Sequence, residues 1–104
     1  MGKSIDKDSW VFVVIQNPGV DEKLVGIHDE EKDIDFIPAF MKKEEAAEYF
    51  MNLPREAGKK YEVQAIIFEE LSADAAKNGF MIFLLDKEGR TQEKIEPKSF
   101  HIKK

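Results

Sequence analysis

The sequence predicts a single α+β domain, one mixed or mostly antiparallel sheet of five to six strands with two helices on one face. Three stretches carry that expectation. From Asp33 to Pro54 an alternating strand turns directly into an amphipathic helix, and the runs 9–16 and 80–86 are apolar at almost every position. Strands that are apolar on both sides want cover on both sides, so both belong inside the sheet.

In chain order, residues 1–8 read as a flexible lead-in before SWVFVVIQ, in which Trp10, Phe12 and Val14 face one way and Val11, Val13 and Ile15 the other. Asn17, Pro18 and Gly19 then punctuate a loop. Lys23 to His28 is expected as one second strand, and Asp29 to Asp33 as the polar turn of a hairpin. In the next strand Ile34, Phe36, Pro38 and Phe40 share one side and Asp35, Ile37 and Ala39 the other. Pro38 has no N–H to donate, which points to an edge strand or a bulge.

From Lys42 the period changes to that of a helix, with Ala46, Phe50 and Leu53 in one stripe, widened by Ala47 and Met51. Glu44 and Glu45 suit its positive end, and Pro54 stops it. Tyr61 to Phe68 is again a strand, so strand, helix and strand in succession predict a right-handed crossover. Glu69 to Asn78 is a short second helix ended by Gly79, and Phe80 to Asp86 a strand beside the first one or close to it. Thr91 to Glu96 is a polar and therefore outer strand, and Pro97 ends the domain. Residues 98–104 form a basic tail.

The chain of 104 residues is 42% hydrophobic and carries a net charge of −5. Lys98, Lys103 and Lys104 lie in the tail, so the body alone carries −8. Such a body repels phosphate backbones, and no run of about eighteen apolar residues exists to span a bilayer, so neither nucleic acid nor membrane is an expected partner. The polar N-terminus lacks a signal-peptide core, which makes the cytoplasm the expected compartment. With no cysteine, thiol catalysis and cysteine-ligated metal centres are excluded.

The segment FIPAF, a short turn, and a helix opening on glutamates before Ala and Phe (Phe36 to Phe50) resembles the N-terminal domain of SseB-type bacterial proteins and a small cyanobacterial domain of uncharacterised function. The order of elements from Tyr61 to Leu85 is similar as well. The resemblance implies a small α+β module and no catalytic residue.

Candidate chemistry is sparse. His28 lies amid Asp29, Glu30, Glu31, Asp33 and Asp35, a possible divalent-metal cluster whose metal candidates are His28, Asp29, Glu31 and Asp33. Its spacing fits neither a zinc-protease helix nor a calcium loop, and a solvated acidic turn is the simpler reading. Glu62, Glu69 and Glu70 could meet as acid and base, but glutamates at a strand end are ordinarily surface residues. None of the serines stands in a nucleophile elbow. The aromatics Trp10, Phe12, Phe36, Phe40, Phe50, Phe68, Phe80 and Phe83 fall at strand or helix periods and read as core. Phe100 and Ile102 in the tail could dock on a partner.

No catalytic residue and no cofactor is expected. The sequence predicts an accessory or interaction module that binds a protein partner or itself as a homodimer. A small-ligand sensor and a metal-assisted hydrolase built on His28 are the alternatives.

Overall fold

The computed structural model of the chain describes residues 6–19, 22–51 and 58–97. These form β1 (Trp10–Gln16), β2 (Lys23–Leu24), β3 (Ile27–Asp29), β4 (Ile34–Ala39), α1 (Lys43–Phe50), β5 (Tyr61–Ile67), α2 (Phe68–Asn78), β6 (Met81–Leu85) and β7 (Thr91–Ile95). The class is α+β, but the strands make two sheets, one of three ordered β2-β1-β5 and one of four ordered β3-β4-β6-β7. The expected single sheet is corrected by one feature: the stretch from Lys23 to His28 is two strands. It pairs with β1 through Leu24 and with β4 through Ile27. Between them Gly26 runs against the Phe80 ring, where a Cβ would stand 2.6 Å from a ring carbon. The chain changes sheets at a residue without a Cβ, which lets the Phe80 ring lie against the backbone.

The two sheets meet where Phe12 and Phe40 exchange both backbone hydrogen bonds, at 2.8 and 2.9 Å. This bridge explains Pro38, which is fully buried in an interior strand instead of at an edge. Phe40 turns its peptide groups toward β1, so Pro38, two residues earlier, turns its nitrogen to the same side. There β3 has ended opposite Phe36 and β1 arrives only at Phe40. Pro38 lies in the gap, where no ladder bond requires an N–H.

Each face of the joined sheets has its own core. Val11, Val13, Ile15, Ile37, Ala39 and Ile82 pack with Phe68, Leu71 and Ala75 of α2. Phe36, Phe40, Phe83 and Leu85 pack with Ala46 and Tyr49 of α1. The helices therefore lie on opposite faces, α2 against the odd-numbered side chains of β1 and β4 and α1 against the even-numbered ones. Phe36 and Phe83 stack at 4.3 Å between ring centroids, nearly parallel at 14°.

The expected crossover from β4 to β5 is likewise corrected: β5 pairs antiparallel with β1, and the parallel partner of β4 is β6, which is consequently separated from β1. α1 ends at Phe50 with Met51 as its C-cap, and Leu53 and Pro54 lie outside the described residues. Ala47 and Met51 of that stripe are exposed. α2 ends as expected at Gly79, whose φ of 79° is the left-handed cap that glycine adopts without strain. Lys7 and Asp8, expected in the lead-in, are held near the start of α2 by the Glu69 N–H donating to the Lys7 carbonyl at 3.0 Å.

Candidate functional site

The acidic hairpin brings together part of its predicted cluster. His28 Nδ1 donates to Asp35 Oδ1 at 2.7 Å, and Nε2 faces Asp33 Oδ1 at 3.4 Å. The Asp35 hydrogen bond holds the imidazole above its ordinary value of 6.5; desolvation opposes this, and the charges of Asp35, Asp33 and Glu30 add to it. Both ring nitrogens thus face carboxylates, an arrangement that suits a protonated imidazole. Asp29 is engaged otherwise, its Oδ1 accepting from the N–H groups of Glu31 and Lys32 in the turn. The Glu31 side chain is exposed and does not join His28. Among the described residues no group of three or more His, Cys, Asp or Glu is arranged to hold a metal ion.

Two clefts are open to solvent. One, of about 770 Å³, lies between α1 and the β6–β7 turn and is lined by charged side chains, including Glu44, Glu48, Asp86 and Arg90. Asp86 is committed there to the turn: its Oδ1 accepts from the Glu88 and Arg90 N–H groups, both at 2.9 Å, and its Oδ2 from Arg90 Nε and Gln92 Nε2. The other, of about 390 Å³, is bounded by β2, the end of α2 and Phe80, and mixes Leu24, Ile37 and Phe80 with Glu22, Lys23, Asp74 and Asn78.

The feature with the clearest unmet chemistry is the outer edge of β5. Phe12 bonds β4, and the Val14 carbonyl accepts from the Val25 N–H at 2.9 Å, so even-numbered residues of β1 turn their peptide groups away from β5. Its odd-numbered residues Val11, Val13 and Ile15 face β5, opposite Ile66, Gln64 and Glu62. Alternation then turns the peptide groups of Tyr61, Val63, Ala65 and Ile67 outward. The flanking bonds agree: Asn17 N–H donates to the Lys60 carbonyl at 2.7 Å, and Phe68 N–H to the Ser9 carbonyl at 2.8 Å. Among the described residues, the outward N–H and C=O of Val63 and Ala65 have no partner.

The other sheet edges are guarded. β2 and β3 are two and three residues long, and β7 is mostly polar with an irregular register at Leu84 and Leu85. β5 runs seven residues in unbroken register with a single charge, Glu62. Beside it Trp10, expected in the core, is 57% exposed; it stands opposite Ile67, on the same face as exposed Ala65 and beyond the reach of α1. Sequence reasoning places a strand at Tyr61 to Phe68, but pairing, not composition, makes it an edge. Phe100 and Ile102 lie outside the described residues.

Among the described residues no helix is long and apolar enough to cross a membrane. No family model, curated protein or solved structure matches the chain.

Proposed function

We propose that this protein is an interaction module without chemistry of its own, which accepts an extended strand from a protein partner along the outer edge of β5. The observation that carries this reading is the pair of outward peptide units at Val63 and Ala65, without a partner among the described residues, in a seven-residue strand with a single charge. An added strand supplies backbone hydrogen bonds from the edge, and the exposed Trp10 and Ala65 offer apolar contact beside it. The resemblance to SseB-type N-terminal domains, which implies a small module and no catalytic residue, agrees with it.

The test is selection of extended peptides displayed on phage against the full chain, followed by titration against two variants. Ala65→Pro deletes an outward donor without removing a bond to β1, and Ala65→Lys places a charge where natural edges carry one. Each should weaken the selected peptides about tenfold or more, equal to about 1.4 kcal/mol. Peptides that bind both variants as well as the parent chain would contradict the reading.

A further inference from the structure

We infer that the strand this edge accepts is β5 of a second copy, paired antiparallel about a two-fold axis through Gln64. The inference rests on the strand-accepting reading above and adds the occupant and its register.

The register follows from which peptide groups point outward. A two-fold antiparallel pair must match the outward residues, all odd-numbered, with each other. With Gln64 opposite Gln64 of the second copy, Val63 meets Ala65 and Tyr61 meets Ile67, each twice. The two strands then overlap over their full seven residues. Centring the axis on Val63 or Ala65 instead throws Ile67 or Tyr61 beyond the end of the partner strand. The same register sets Glu62 opposite Ile66, so the only charge in the strand does not meet itself.

Charge and apolar surface favour a second copy over an unrelated strand. Lys59 and Lys60 directly precede β5, and Glu69 and Glu70 follow it after Phe68, on the first turn of α2; Lys60 and Glu70 are exposed. Antiparallel pairing brings the basic end of each copy to the acidic end of the other, at both ends of the joint, against the mutual repulsion of two chains of −5. Tyr61 of the second copy stands across from Ile67, and Ile67 stands across from Trp10. The second copy therefore lengthens the row of apolar side chains that begins at the exposed indole. The product is a continuous six-stranded sheet, β2-β1-β5 followed by its two-fold image.

The absence of cysteine makes the register directly measurable in the full chain. Gln64 would face its symmetry mate as a non-hydrogen-bonded pair with Cα atoms about 4.5 Å apart, within disulfide reach. Glu62 and its mate would be about 14 Å apart. Under mild oxidation Gln64→Cys should form a disulfide dimer at least tenfold faster than Glu62→Cys. In sedimentation the parent chain should rise from 12.0 kDa toward twice that mass with concentration, with a blue shift of Trp10 emission, the chain having one tryptophan. Ala65→Lys should stay at the monomer mass with unshifted emission.

A parent chain that holds 12.0 kDa with constant emission, or a Glu62→Cys that crosslinks as fast as Gln64→Cys, would overturn the inference. If selected peptides still depended on Ala65 in that case, only self-pairing would fall. If they did not, the strand-accepting reading would fall with it.

Discussion

His28 holds its proton by two neighbours rather than by burial, and this has a signed consequence. Its folded pKa is raised above 6.5, chiefly by the Asp35 hydrogen bond. A raised pKa contributes stability that is fully present below the unfolded value and is lost as pH rises through the folded value. The melting temperature should therefore fall over the window beginning near 6.5 and running upward, and His28→Ala should flatten that part of the profile. A His28 ring resonance titrating at or below 6.5 would contradict the geometry. Asp86 behaves in the opposite sense. Its carboxyl is held below 3.8 first by the Arg90 backbone N–H, with desolvation opposing and the Glu88 N–H and Arg90 side chain assisting. Its contribution is present above 3.8 and lost as pH falls through the folded value. Asp86→Ala should speed amide exchange at Glu88 and Arg90 while leaving β1 and β5 protected. The acidic cluster was legible as a cluster, but not as one histidine shared by Asp33 and Asp35. That division is made by the hairpin register His28 opposite Asp35, which composition does not encode.

At the scale of elements, the break between β2 and β3 turns on Gly26. Gly26→Ala would press a methyl group into the Phe80 ring, an overpacking worth about 1–3 kcal/mol. The cost should shrink in a Phe80→Leu background, which a double-mutant cycle by denaturant unfolding would measure. Equal costs in both backgrounds would locate the strain elsewhere. The elements themselves were largely readable: the apolar runs became interior strands, and the Asn78-Gly79 stop became a left-handed cap. What failed was the inference from Pro38 to an edge. Proline forbids a ladder bond on one side at one residue, and β4 satisfies that in the short gap between two successive neighbours. Trp10 failed for a related reason, since its alternation with Val11 is that of a buried strand, yet α1 covers the face only from Phe12 onward.

At the scale of the molecule, the Phe12–Phe40 bridge and the two cores around β1 and β4 couple both sheets into one unfolding unit. Phe40 is fully buried at that joint, so Phe40→Ala should cost about 3–5 kcal/mol. It should lower amide protection in β5 and in β6 together, and loss confined to one sheet would show that the sheets unfold separately. Class and element order could be read from the chain, because periodicity is local. The division into two sheets could not, because it depends on which strands meet. The parallel pair of β4 and β6 sets Phe36 beside Met81, about forty-five residues later, with α1, β5 and α2 between them. During synthesis, then, β4 leaves the ribosome well before the strand that completes its sheet. Its four consecutive buried residues, Phe36 to Ala39, must wait through the emergence of nearly half the chain, sheltered meanwhile only by what β1 and α1 can cover.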